Sequence, residues 1–353
     1  MPRPIQAKLN LNALENNLAV ARRSTTARIM SVIKADGYGH GLLRVAEALA
    51  TTDGFALLDI QNAIELRESG FPQPVLLLEG FFSVGDLSVI AKHDLSCVLY
   101  STEQIAMLDA YPGSGTLNIW LKVNSGMNRL GFAPQQVSQV MEQLSRHRAV
   151  REITLMTHFA TSDEAAGVAK PLALFNDVAG PYRLPRSMAN SAALLRYRET
   201  HGDWVRPGIM LYGSSPFAEI SAQQLGLKPV MTLSSRIIAT QELQPGDEVG
   251  YGATFRAEQR MRIGVVACGY ADGYPRHAAT GTPIVVDGHR TRTVGRVSMD
   301  MMCVDLSEVP HAGVGSQVVL WGDGMPIDEV ASAADTISYE LMCALTTRVK
   351  IVT

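Results

Sequence analysis

The chain has 353 residues, 46% of them hydrophobic and 18% charged, with a formal net charge of −3. That balance suits a soluble globular protein of one large and one smaller domain, and mild acidity without basic runs argues against a nucleic-acid partner. No apolar stretch reaches the length of a membrane span, and the opening MPRPIQAKLNLNALENN lacks the apolar core of a signal peptide.

From residue 28 to residue 213, short apolar runs alternate with amphipathic stretches of helical period. The strand candidates are 28–34, 54–60, 74–80, 95–101, 117–124, 151–160, 185–190 and 204–213. Between them lie helical segments such as GLLRVAEALA, NAIELRESG, TEQIAMLDAY and PQQVSQVMEQLSRH. Eight strands, each but the last followed by a helix, form the α/β pattern of a (β/α)8 TIM-type barrel. After about Gly226 the texture changes to strand-like runs such as MTLSSRIIATQEL, MRIGVVACGY and QVVLWGDG, parted by Gly, Pro and Asp turns. Helix returns only in PIDEVASAAD and SYELMCALTT. The expected division is a barrel over residues 9–226 and a C-terminal mainly-β domain over 227–353, which also takes an N-terminal strand from residues 1–8. Cys97, Cys268, Cys303 and Cys343 are scattered, with no C-x-x-C and no histidine at metal spacing. They fit a reducing cytoplasm and imply no metal site.

In such a barrel the C-terminal strand ends face the active site. The run RIMSVIK ends in Lys34, and the glycine-rich ADGYGHG follows with Tyr38 four residues on. A strand-end lysine by itself more often reaches into solvent. An amine held at a buried strand end, however, loses water and falls in pKa, as a nucleophilic or Schiff-base lysine requires. Later ends supply Lys122 and the loop NSGMNRLG with Arg129, then His158, Asn190–Ser191, and Arg206 with Pro207–Gly208–Ile209. Together they make a cationic, hydrogen-bonding mouth apt for an anionic cofactor. Ser191 and the amides of Gly208 and Ile209 open turns where donors can converge on a phosphate. Lys122 shares a strand face with Trp120 and Asn124, and an uncompensated ammonium buried there would be costly.

These residues bring the chain to a known family. It resembles bacterial alanine racemases along essentially its whole length. The resemblance rests on VIKADGYGHG around Lys34, LKVNSGMNRLG around Arg129, THFA at His158, ANSAA at Ser191 and DWVRPGIMLYG at Arg206. It continues through VGYGA at Tyr251, GYADGYPR at Tyr270, GRVSMD at Met299–Asp300 and SYEL at Tyr339. The resemblance implies a pyridoxal 5'-phosphate-dependent isomerase that interconverts L-alanine and D-alanine, for peptidoglycan synthesis or alanine catabolism. It also implies a homodimer in which the partner's β domain lies over each barrel mouth. Asp36–Gly37 stands where Asn-Ala is common, and Ser298 where a cysteine is frequent; neither removes a group the mechanism needs.

Roles follow from the same resemblance. Racemisation takes a proton from one face of a carbon and returns one to the other, so two groups must flank it. Lys34 would hold the cofactor and serve the D-face; Tyr251 of the partner subunit would serve the L-face. A phenol of pKa about 10 needs positive neighbours to act as a base, and His158 and Arg206 match residues linking that tyrosine to the cofactor ring. Arginine does not readily surrender its proton, so Arg206 would leave the pyridine nitrogen neutral and suppress transamination. Tyr38, Ser191, Gly208, Ile209 and Tyr339 match positions near the phosphate. Arg129 matches the residue near the phenolic oxygen and the substrate carboxylate, and Met299, with Asp300, closes over the substrate from the partner. Lys122 matches a lysine carbamylated in some members, an anion able to hold Arg129. Tyr270, with Arg276 near it, matches a position on the approach to the site.

Three rival readings compete. A decarboxylase on this fold would want a cysteine in place of Tyr251 and an acid in place of Arg206. A cofactor-homeostasis protein would be a lone barrel. A racemase for Lys, Arg or Ser is disfavoured by the bulk of Tyr270, Tyr339 and Met299 near the substrate.

Overall fold

The computed structural model describes residues 3–353, so residues 1 and 2, expected in the second domain, lie outside the described residues. The first strand, β1 (Gln6–Leu9), belongs to the second domain's sheet; the next eight strands close into a parallel barrel. They are β2 (Arg28–Val32), β3 (Gly54–Leu57), β4 (Val75–Leu77), β5 (Ser96–Leu99), β6 (Leu117–Lys122), β7 (Val150–Met156), β8 (Arg186–Ser187) and β9 (Trp204–Val205). Pairing of Ile29 with Val205 joins the last strand to the first and closes the ring. Helices cover the outside and strand side chains fill the inside, so the strands are apolar on both faces; Phe55, Ala56, Leu57 and Leu76 have no exposed surface.

Local chemistry starts and orients the outer helices. Ser83 and Asp86 form a reciprocal capping box on the helix Val84–Lys92, and Asn190 accepts the Ala193 N–H at the start of Ser191–Arg196. The helix Val137–Arg146 buries Val137, Val140, Met141 and Leu144, the i, i+3, i+4, i+7 stripe of an amphipathic helix.

Several strands are shorter than their apolar runs. The last, expected over 204–213, stops at Val205: Pro207 has no N–H for the ladder, and Ile209–Tyr212 wind into a 3-10 turn. The run 151–160 leaves the sheet after Met156, and 185–190 shrinks to Arg186–Ser187. Likewise β2 ends at Val32, so Lys34 stands just beyond it rather than on it. In each case the shed residues are those that turn toward the mouth.

The second domain is a mainly-β unit built around β10 (Met231–Leu243). Its first half pairs with β1, Leu9 opposite Met231, and with the strand Gln317–Trp321; its second half pairs with Met261–Val266. A register shift between Ile237 and Ala239 bends β10, which lets one long strand serve both parts of an eight-stranded sheet. The N-terminal strand expected for this domain is β1, where polar and apolar residues alternate, with Ala7 and Leu9 buried and Gln6 and Lys8 exposed. Among the described residues of this domain, α-helix occurs only at Ile327–Ala333 and Ser338–Cys343.

Candidate active site

At the C-terminal end of the barrel lies a cavity of about 610 Å3, lined by four cationic side chains, Lys34, Lys122, Arg129 and Arg206. Glu79, just past β4, is the one carboxylate facing them. The cavity also takes in Tyr38, His158, Ser191, Gly208 and Tyr339.

Lys34 opens a turn of unusual hand. Ala35, Asp36, Gly37 and Tyr38 have φ of 53°, 54°, 60° and 51°, so the span Lys34–Gly39 is one turn of left-handed helix. Each non-glycine residue there costs about 1–2 kcal/mol, and local bonds offset it. Gly37 N–H donates to Ile33 O (3.0 Å), Gly41 N–H to Asp36 O (2.9 Å), and Leu42 N–H to Asp36 Oδ1 (2.7 Å). His40 Nδ1 lies 3.0 Å from Gly37 O and 2.8 Å from Tyr38 O. Both are acceptors, so Nδ1 carries the hydrogen. His40 is fully buried, and burial pushes its pKa down to about 4. A Cβ at Gly39 would sit 2.4 Å from Met342 O, so the second domain's backbone presses directly on the turn. The glycines announced a turn in the sequence, but not its hand.

The turn delivers Tyr38 to the cavity. Its ring packs on Tyr212 (centroids 4.4 Å apart), whose hydroxyl donates to Val32 O at 3.0 Å. Burial raises the Tyr38 pKa, so its hydroxyl stays protonated as a donor at neutral pH. Gly208 faces that hydroxyl, and a Cβ there would approach it to 2.7 Å. The Gly208 N–H, expected to be free for a ligand, donates instead to Ser191 Oγ at 2.9 Å. Ile209 is fully buried behind it, at the start of the 3-10 turn. Tyr339 reaches the mouth from the helix after Ser338, whose hydroxyl donates to Asp328 Oδ1 at 2.6 Å and pairs with Ser214 at 2.8 Å.

The cations act on one another. Burial lowers the Lys34 pKa and Arg129 lowers it further, against Glu79 and Cys343. Lys122 is pushed down to about 8 by burial, then by Arg206 and Arg129, with Glu79 opposing. Arg206 is buried and falls to about 10, yet it remains protonated at neutral pH. It donates to Ser187 Oγ (2.6 Å) and Thr157 O (2.7 Å), and its Nη2 lies 3.3 Å from His158 Nδ1. A guanidinium can only donate, so His158 Nδ1 accepts and Nε2 carries the ring hydrogen. Burial and these cations hold the His158 pKa well below the usual imidazole range. The ring is neutral.

Of the expected set, Lys34, Tyr38, Lys122, Arg129, His158, Ser191, Arg206, Gly208 and Tyr339 line one cavity. Ile209, Tyr251 and Met299 do not: Ile209 is buried behind the lining, whereas Tyr251, opening a 3-10 turn, and Met299, on a loop, stand on the β domain 72% and 52% exposed. Glu79 and Tyr100 line the cavity without having been singled out from the sequence. Both follow barrel strands, so the strand-end rule that found the cations could have found them.

Comparison with known proteins gives the family. Residues 9–216 match the family described as alanine racemase, N-terminal domain, and residues 230–353 match alanine racemase, C-terminal domain. The chain belongs to the alanine racemase family. It is similar to the alanine racemase of Nitrosospira multiformis, 59% identical over 357 residues and 100% of both chains, and to that of Nitrosomonas eutropha at 56%, covering 99% and 98%. Among solved structures it resembles the biosynthetic alanine racemase of Pseudomonas aeruginosa, with a TM-score of 0.97, 44% identity and 99% of each chain covered. The alanine racemase of Acinetobacter baumannii matches with a TM-score of 0.93 and 38% identity, again over 99% of each chain. Matches to both domains speak against the lone-barrel reading and against a decarboxylase. All four cysteines are free, and no helix among the described residues is long and apolar enough to cross a membrane.

Proposed function

We propose that this chain interconverts L-alanine and D-alanine with pyridoxal 5'-phosphate, by two opposed bases in a site completed by a second copy of itself. One observation carries the reading. The mouth holds an amine base, Lys34, and a neutral His158 whose Nε2–H makes no hydrogen bond among the described residues, while the phenol able to meet it, Tyr251, stands exposed on the β domain.

The donor set fits the cofactor. The guanidinium groups of Arg129 and Arg206 offset an anion, Tyr38 offers a protonated hydroxyl, and the missing Cβ of Gly208 makes room for that hydroxyl beside the cavity. Lys34 would hold the group covalently; Tyr38, Ser191, Gly208, Ile209 and Tyr339 would hold its phosphate, Arg206 its ring nitrogen, and Arg129 its phenolic oxygen and the substrate carboxylate. When bound, the cofactor supplies an electron sink that acidifies the α-proton of an attached amino acid.

The remaining chemistry belongs to the chain. A lowered pKa gives Lys34 a neutral amine nearer to physiological pH, so it can take a proton on the D-face and return it. Tyr251 of the partner subunit does the same on the L-face. His158 Nε2–H donates toward its phenolate oxygen, and Arg206 fixes the His158 tautomer from behind. Arg206 keeps its own proton and so would only donate toward the ring nitrogen of a bound cofactor. Lys122, part neutral near pH 8, is primed to take up CO2 as a carbamate that would hold Arg129. Met299 of the partner subunit closes over a methyl-sized side chain. We place the domain division at about residues 9 and 226, with Leu9 itself, expected in the barrel, the last residue of the β-domain strand, and the free thiols suit a cytoplasmic protein.

Mixed dimers test the shared site. Lys34→Ala and Tyr251→Phe homodimers should each lose activity by roughly a hundredfold or more. After random subunit exchange, half the dimers are hybrids with one intact site of two, so chiral chromatography should find about a quarter of wild-type activity. No recovery, with exchange verified by native mass spectrometry, would overturn the reading.

A further inference from the structure

Tyr270 and Met299 stand 37% and 52% exposed in the chain, so side-chain packing does little to fix them. Their order comes from the backbone beneath. Tyr270 N–H donates to Ser298 O and Ala271 N–H to Met299 O, both at 3.0 Å. A Cβ at Gly269 would lie 2.3 Å from Met299 O, so the two loops touch backbone to backbone.

Under both loops sits Asp272, with no exposed surface. Its Oδ2 accepts from Gly269 N–H at 3.0 Å and from Arg3 Nη2 at 2.9 Å, and its Oδ1 faces Arg348 Nε at 3.3 Å. The same two arginines reach across to the other loop. Arg3 Nη2 donates to Asp300 O at 2.9 Å, and Arg348 Nη2 to Asp300 Oδ1 at 2.6 Å. Thr346 holds the far side, its Oγ1 donating to Ala271 O at 2.9 Å. One dry carboxylate thus anchors two guanidinium groups, each of which bridges both loops. Removing one member of such a cluster leaves the others uncompensated, and is more disruptive than the pair itself is stabilising.

We propose that Asp272 is a positioning residue that fixes the Tyr270 and Met299 loops as a single rigid lid over the partner's barrel mouth. It rests on the shared-site reading above. The lid acts on substrate capture and enclosure, so its loosening falls mainly on KM for alanine, while proton transfer at Lys34 keeps its own groups. Packing alone would not make the effect directional. Asp272 stabilises the lid of the other subunit's site, not the one its own barrel forms.

The test places Asp272→Asn on one chain at a time of the Lys34→Ala/Tyr251→Phe hybrid. On the Lys34→Ala chain, the change lies in the subunit that lends its loops to the sole working site. There KM for alanine should rise about tenfold, with kcat changed less. On the Tyr251→Phe chain it lies under the loops that cover the broken site, and KM should stay within about twofold. Equal effects from both placements, or none from either, would overturn the proposal. Should the Asp272→Asn chain fail to fold, Arg3→Met in the same two placements breaks one bridge and leaves Arg348 on Asp272; the same asymmetry is expected at about threefold, and its absence counts equally against the lid. An inactive parent hybrid would instead overturn the shared site, and the lid with it.

Discussion

His40 touches neither substrate nor cofactor in the proposed reaction, yet it braces the turn that Lys34 opens. Three non-glycine residues beside the lysine sit in left-handed backbone, and the His40 N–H bonds two carbonyls of that turn. Stored strain of this kind persists only where surroundings over-determine it. Burial holds the His40 pKa near 4, against an ordinary 6.5. Between those values the unfolded chain takes a proton that the folded chain refuses. The stabilising contribution is therefore present above pH 6.5 and is lost as pH falls toward 4, by on the order of 3 kcal/mol. His40→Asn keeps an N–H donor and removes the titration. Urea unfolding of the holoenzyme at pH 7 and at pH 4.5 should show a smaller acid loss in His40→Asn than in wild type. Identical losses would mean that the ring takes its proton without opening the turn.

At the scale of single elements, the short β9 and the turn after it decide how closely a ligand can approach. Gly208 would bring a Cβ to 2.7 Å from the Tyr38 hydroxyl, and that ring, packed 4.4 Å from Tyr212, has little room to yield. Gly208→Ala should therefore cost about 1–3 kcal/mol through overpacking. It should also weaken cofactor retention by about tenfold, since part of the strain enters the cradle. Calorimetric melting with and without added cofactor measures both; an unchanged gap between the two melting temperatures would show that the cradle is not at Gly208. The same elements mark what was legible in the sequence. Apolar period and strand count located the barrel, and parallel strands fix which end is the mouth, so Lys34, Lys122, His158, Ser191 and Arg206 could be gathered from strand ends. The hand of the 35–38 turn could not: the His40 bonds that brace it are local but belong to no periodic pattern, and the Met342 carbonyl against Gly39 comes from the far end of the chain. Glu79 sits just past a barrel strand, as readable a place, but a lone carboxylate there carries no motif of its own. Tyr251 and Met299 had no such route. No period brings an exposed loop residue to a distant cavity, and only resemblance named them.

At the scale of the whole molecule, the proposed reaction joins the exposed residues of one copy to the cavity of another. Tyr251, Met299, Met301 and Ile337 are 72%, 52%, 43% and 61% exposed, large apolar groups on the β domain. Exposed apolar groups of this size are common singly, but under the proposed two-base reaction they are surface that a second copy would cover. If the second base comes from another copy, activity must follow mass action while cofactor attachment to Lys34, within one subunit, need not. Diluting the holoenzyme through its dissociation constant should lower specific activity in step with the loss of dimer seen by mass photometry. The visible absorbance of the cofactor should persist over the same range. Adding back inactive Lys34→Ala subunits at high concentration should restore activity to the diluted wild type, since each lends a Tyr251 to an intact Lys34. Monomers as active per subunit as dimers would place both bases in one chain, and would require Tyr251 to move from its exposed loop to its own barrel mouth.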